Sequence, residues 1–308
     1  MKRKITAILM VMALLLSLAG CGGESAKTVS EARDQTAGYL TGQVPEAVPG
    51  SIGGEWTVLG LARGETEVPD GYYETYYDNV RAAVKSKKGV LDERNYTEYS
   101  RVSIGLAAIG KDPRDVEGYN LLEPLDRAGK VIGQGVNGPI FALIAANCCG
   151  YELDKEQRYL DYILDAQLED GGFSLSGEGE SSPDLTGMAL QALSFYKDDE
   201  KAGEAIERAV DALAAARQSD GTFDGSSETV SQVIIGLTSV GIDPQSDERF
   251  VKEDADLYDV LMKYCCEDGG FSHKEGEDAN LMASEQAMCA LDALILYEDG
   301  NCLYECSN

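Results

Sequence analysis

The turn Asp170-Gly171-Gly172-Phe173 returns as Asp220-Gly221-Thr222-Phe223 and again as Asp268-Gly269-Gly270-Phe271. Each copy follows an amphipathic helical pattern and leads through a polar loop into a run of small and apolar residues. These runs open at Ser182-Pro183-Asp184, Ser227-Glu228-Thr229 and Ser284-Glu285-Gln286. A unit repeated at a spacing in the range of roughly 20 to 50 residues builds a stacked array, because no single copy buries its own apolar face. Asp starts turns through its side-chain hydrogen bonds, Gly supplies positive φ or close backbone approach, and a Phe at a fixed offset drops between neighbouring helices. The turn therefore reads as a structural staple, not an active site.

Weaker copies precede these three. The segment Ser100 to Pro113 matches Ser231 to Pro244, and both end in Gly-x-Asp-Pro, where Gly takes a left-handed helix end and Pro forbids continuation. Pro139 stands just inside an apolar run beginning at Asn137, as suits a first helical turn. Outer helices are expected over 29–40, 72–87, 117–127, 155–167, 202–217 and 255–266, each followed by an inner helix. Outer members carry one apolar stripe opposite charge, as at Ala205, Ile206, Ala209, Val210 and Leu213, whereas inner members such as 233–240 are almost uncharged all round. Six such pairs predict an all-α fold, an α6/α6 toroid filling residues 28–308 as one domain, with residues 299–308 wrapped over the outside.

The N-terminus reads as an export signal. A basic start, Lys2 to Lys4, precedes an apolar run that is too short to span a bilayer. Leu18-Ala19-Gly20-Cys21 resembles the lipobox of bacterial lipoproteins. That resemblance implies a signal peptide over 1–20, lipidation of Cys21, a tether over 21–27, and a protein anchored to the outer face of a bacterial cell membrane, where two or more acyl chains hold stably.

The chain has 54 acidic against 26 basic residues, a formal charge of −28, and loss of residues 1–20 would make it more acidic still. Such a surface repels phosphate backbones, which excludes nucleic-acid partners. Seven cysteines remain after Cys21, an odd number that argues against a fully paired disulfide framework. Cys302 and Cys306 are the pair placed to bond, whereas Cys148, Cys149, Cys265 and Cys289 sit in apolar helical patterns and read as core.

The Gln/Arg-x-x-Asp-Gly-Gly-Phe unit, followed by a helix of the type Ala-Leu-x-Ala-Leu, resembles the prenyltransferase and squalene-oxidase repeat of protein prenyltransferase β subunits and terpenoid cyclases. Related repeats build the toroids of cobalamin carriers and the complement thioester domain. The resemblance is clear over residues 155–297 and faint before them. It implies a cavity entered at the mouth where the inner helices begin, which places Glu55, Trp56, Ser100, Asn137, Asp184, Glu228 and Glu285 on the candidate ligand-binding rim. The structural alternative is helix capping and favourable placement of acids on the helix dipole, worth roughly 0.3–1 kcal/mol each.

The enzymatic motifs of these families are missing. No Asp-x-Cys precedes the single histidine, His273, no Asp-x-Asp-Asp is present, and the only Gly-Cys-Gly is at Gly20-Cys21-Gly22. A cavity for carbocations would be lined with aromatic faces, and the chain has one Trp and six Phe. No metal site, cofactor or catalytic residue is expected. The expected function is a surface-anchored module that binds a small molecule, a corrinoid being one, or a protein partner. The competing class is a prenyl-handling or saccharide-cleaving enzyme using rim carboxylates such as Asp184 with Glu228 or Glu285.

Overall fold

The computed structural model describes residues 27–50, 52–223, 226–253 and 255–306. The signal segment, Cys21 and most of the tether lie outside these residues. The protein is all-α with one two-stranded ribbon, and among the described residues no helix is long and apolar enough to cross a membrane.

The helices come in outer and inner members. The outer ones are α1 (Val29–Gln43), α3 (Tyr72–Ser86), α5 (Ala128–Ile132), α7 (Glu156–Asp165), α9 (Glu200–Ala216) and α11 (Leu257–Met262). The inner ones are α2 (Glu55–Arg63), α4 (Thr97–Ala108), α6 (Asn137–Cys148), α8 (Pro183–Leu193), α10 (Ser227–Ser239) and α12 (Leu281–Glu298). Start signals in the sequence set several boundaries. Thr28 and Glu31 form a reciprocal capping box at α1, Asp256 and Asp259 do the same at α11, and Asp199 accepts from the backbone N–H groups of Lys201 and Ala202 at α9.

Burial separates the two sets as their residue patterns require. In α9 only the stripe Ala202, Ala205, Ile206, Ala209, Val210 and Leu213 is buried, whereas α10 is buried from Ser227 to Thr238. Inner helices pack in the order α2, α4, α6, α8, α10, α12, and the order returns to its start because α12 packs on α2 as well as on α10. The helices α7, α9 and α11 each pack on the inner helix that precedes them, and α1 packs on α12 in the same way. Between α8 and α10 the backbones touch: a Cβ on Gly187 would stand 2.5 Å from the Gln232 carbonyl oxygen, and one on Gly236 would stand 2.6 Å from that of Gly187. Along α2 and α12, Thr57, Gly60 and Gly64 meet Glu285, Met288 and Asp292 in turn, so these two helices run parallel.

The repeated turn is a staple. The Asp170 carboxylate accepts from Gly172 N–H at 2.9 Å, Gly171 has φ +90°, and the N–H of the fully buried Phe173 donates to Thr186 Oγ1 on α8 at 3.0 Å. The third copy repeats this with Asp268 to Gly270 N–H at 3.1 Å, Gly269 at φ +87°, and Phe271 N–H to Ser284 Oγ at 2.8 Å. The middle copy keeps the Asp220 turn, with Gly221 at φ +85° and Phe223 buried. Phe271 and Ser272 also form β1, which pairs antiparallel with β2 (Ala279–Asn280).

Four expectations are corrected. The third outer element is a 3₁₀ turn over Glu123–Asp126 followed by α5, later in the chain than 117–127, because Pro113 and Gly118 keep the preceding stretch irregular. The last outer helix, α11, stops at Met262, and Tyr264 and Cys265 serve the ribbon instead: Tyr264 accepts from Ser272 N–H and Cys265 bridges to Phe271. The tail does not wrap the outside. Leu303 and Tyr304 are 1% and 3% exposed, drawn inward by burial of two large apolar side chains. Cys302 and Cys306 are free thiols, and Cys306 faces Cys148, which with burial pushes its pKa up.

Candidate functional site

One cavity of about 170 Å³ lies among the inner helices, and each of the six contributes to its wall. Trp56 comes from α2, Thr97 and Arg101 from α4, Asn137 and Phe141 from α6, and Met188 from α8. Gln232 and Ile235 come from α10, Gln286 and Cys289 from α12, and Tyr304 is supplied by the tail. Trp56 and Phe141 form an aromatic corner, their ring centroids 5.6 Å apart and tilted by 55°.

Arg101 is the charged member of the wall. Its Nη2 donates to Glu98 Oε2, and its Nε stands 3.5 Å from Oε2 of Glu55 without a hydrogen bond. Glu55 is 1% exposed and sits behind this guanidinium; its Oε1 accepts from Gly50 N–H at 2.9 Å. Burial pushes the Glu55 carboxyl up to about 7, with Arg101 offsetting part of the desolvation. Tyr76 on α3 lies against the same carboxylate, and its pKa is raised well above the ordinary value, first by burial and then by the charge of Glu55.

A relay of carboxamides crosses three helices. Gln191 Nε2 donates to Gln232 Oε1 at 2.8 Å and to the Gln232 backbone carbonyl at 3.4 Å. Gln232 Nε2 then donates to Gln286 Oε1 at 3.1 Å. The backbone carbonyl can only accept, so it sets the direction of the whole relay and leaves the Gln286 amide nitrogen as the open group at its end.

Of the rim residues expected from the sequence, Trp56 and Asn137 line the cavity. The others are placed elsewhere. Glu55 is behind Arg101, and Ser100 is buried in α4 without lining the cavity. Asp184 occupies the first turn of α8 outside the cavity wall. Glu285 is one turn inside α12, since that helix begins at Leu281 with Asn280 as its cap, and it ties α12 to α2 by accepting from Gly53 N–H at 2.9 Å and from Thr57 Oγ1. Burial raises its pKa too. Glu228 accepts from Ser226 Oγ at 2.8 Å and Ser227 Oγ at 3.2 Å, and meets His273 Nδ1 at 2.9 Å. Imidazole and hydroxyls thus converge on one carboxylate rather than on each other, which is not the arrangement of a base activating a nucleophile. None of the four rim carboxylates, Glu55, Asp184, Glu228 and Glu285, lines the cavity.

Among the nine wall residues that were not expected, several stand one position or one turn beyond an expected one: Arg101 follows Ser100, Gln286 follows Glu285, Phe141 follows Asn137 by four, Met188 follows Asp184 by four, and Gln232 follows Glu228 by four. Helical phase was a usable signal at one place, since Asn137 lines the cavity and Phe141, four residues on, shares its face; Ser100, Asp184, Glu228 and Glu285 do not line it and so pointed to none of their neighbours. Tyr304 had no such signal. Among the described residues no group of three or more His, Cys, Asp and Glu side chains is arranged to hold a metal ion. No protein-family model matches the chain, and comparison with curated proteins finds no significant match.

Proposed function

We propose that this protein is a non-catalytic binding module: an α6/α6 toroid whose lumen receives a small molecule, carried on the outer face of a bacterial membrane by a lipid on Cys21. The cyclic packing order of the inner helices supports the toroid, and α1 lying on α12 as α9 lies on α8 supports its closure. The observation that carries the binding function is the wall itself. All six inner helices contribute to one cavity that combines an aromatic corner, carboxamides and a single cation, the composition of a small-ligand site. The alternative of a carboxylate-dependent enzyme has less support, because Glu55, Asp184, Glu228 and Glu285 do not face that cavity.

Size narrows the ligand. A cavity of ~150 Å³ accommodates a benzene ring, so a lumen of about 170 Å³ suits a compact molecule. A corrinoid is far larger and would lie across the mouth.

Native mass spectrometry of the detergent-solubilised full chain, as purified and after separate addition of small metabolites, corrinoids, isoprenyl lipids and oligosaccharides, tests the reading. A stoichiometric adduct lost on Phe141→Ala supports lumen binding. No adduct and no change in thermal stability across the panel would overturn it. Incorporation of labelled fatty acid that disappears in Cys21→Ser tests the anchor.

A further inference from the structure

The binding reading leaves the ligand's chemistry open, and the wall narrows it. Acids outnumber bases 54 to 26 in this chain, yet the cavity wall contains one base and no acid. A wall drawn at random from such a composition would be acidic. A cationic ligand would meet Arg101 with no carboxylate in the wall, the adjacent acids Glu98 and Glu55 being already paired with that guanidinium.

Most of the open hydrogen-bonding groups point the same way, the exception being Asn137, whose buried Oδ1 is an acceptor without a partner among the described residues. Arg101 commits Nη2 to Glu98 and makes no other hydrogen bond among the described residues. The Gln191, Gln232 and Gln286 relay ends on an amide nitrogen, a donor. The Trp56 indole N–H is a donor as well, and no described residue accepts from it. Three donors of different kinds, one of them a guanidinium, favour a ligand that accepts through oxygen, and a planar carboxylate matches guanidinium geometry best. Trp56, Phe141, Met188 and Ile235 provide an apolar surface for the rest of the molecule.

Resting on the binding function proposed above, we infer that the lumen takes a compact monocarboxylic acid, its carboxylate on the Arg101 guanidinium and its body against Trp56 and Phe141. The Glu55 carboxyl behind Arg101 makes the binding recognisable. Glu55 is faced by Arg101 and Glu98 from α4 and by Tyr76 from α3, while Glu285 from α12 is bonded to Gly53 and Thr57. A second anion on Arg101 adds negative charge beside Glu55 and favours its protonated form, so binding at neutral pH draws a proton from solution.

Isothermal titration of the full chain with benzoate and glucuronate, each against its neutral counterpart, benzamide and glucose, separates the possibilities. The expected result is at least tenfold tighter binding of one acid than of its neutral partner, with loss of that preference in Arg101→Gln. Repeating the titration at pH 7 in buffers of different ionisation enthalpy should reveal net proton uptake that is absent in Glu55→Gln. If Arg101→Gln fails to fold, the wild-type acid-to-neutral ratio and the proton uptake still decide the matter. Equal binding of acid and neutral partner would overturn the carboxylate inference while leaving a small-molecule site. Binding of none of the four would also overturn the carboxylate inference, whereas the binding function itself falls only if the native mass-spectrometry panel shows no adduct.

Discussion

Arg101 Nε stands 3.5 Å from Oε2 of Glu55, with one partner lining the cavity and the other almost completely buried. The carboxyl of Glu55 is raised from 4.5 to about 7, chiefly by burial. The folded protein therefore binds a proton there more tightly than the unfolded chain. Its contribution to stability is fully present below pH 4.5 and is lost as pH rises through about 7, amounting to roughly 3 kcal/mol across that window. In Glu55→Gln this dependence should vanish while the Gly50 N–H keeps an acceptor. Melting temperatures of both proteins from pH 4.5 to 8.5 should diverge in favour of the glutamine variant above pH 7; parallel curves would refute the assignment.

Asp292 is a second buried acid, on α12. It is 1% exposed, both carboxylate oxygens lack a hydrogen-bond partner among the described residues, and burial raises its pKa well above the ordinary value despite Arg33 and Arg63 nearby. It too stabilises the protonated folded state and loses that contribution as pH rises. Asp292→Asn should gain on the wild type as pH is raised from about 4 to about 9, because only the wild type loses that contribution. Urea unfolding at the two pH values checks this, and an equal difference at both would count against it.

The staple turns separate conformational strain from close packing. Gly171 and Gly179 both have positive φ, +90° and +85°, but a Cβ on Gly171 would meet the Arg208 carbonyl at 2.4 Å whereas one on Gly179 meets nothing within 4 Å. Gly179→Ala should cost about 1 kcal/mol from backbone strain alone, and Gly171→Ala several kcal/mol more. Phe173→Ala, which empties the space between helices, should cost about 3–5 kcal/mol. Chemical denaturation of the three variants gives the ranking; similar losses for the two glycine variants would mean that α9 moves away freely.

The tail supplies Tyr304 to the cavity wall and is held by the Arg63 guanidinium, which donates to the Cys302 carbonyl at 3.0 Å. Truncation after Gly300 should leave the helices intact by far-UV circular dichroism, lower the melting temperature, and open the lumen to a polarity-sensitive dye. A truncated protein with unchanged stability and no dye response would show that the tail is not part of the wall.

Helix pairing was legible in the chain because it rests on local terms. Polar caps such as Thr28 and Asp199, the Asp-Gly turns, and the contrast between the striped 202–213 and the apolar 230–238 are all decided within a few residues. The cavity wall was only partly legible. Two of the seven rim residues, Trp56 and Asn137, reach it. The miss at Glu285 has a simple cause: α12 begins at Leu281, one turn earlier than Ser284 suggests, so Glu285 turns toward α2 and Gln286 toward the cavity.

From the sequence alone come the all-α class, the alternation of outer and inner helices, and the structural role of Asp170, Asp220, Asp268 and the Phe residues that follow them, because short-range hydrogen bonds and helical periodicity carry that information. Tertiary structure alone decided that Arg101 is the cation of the cavity wall, that Glu55 lies buried behind it, and that the tail brings Tyr304 inside. These depend on the rotation of each helix about its own axis and on contacts between segments far apart in the chain, where a shift of one residue, about 100° on a helix of 3.6 residues per turn, moves a side chain from the cavity to the helix interface.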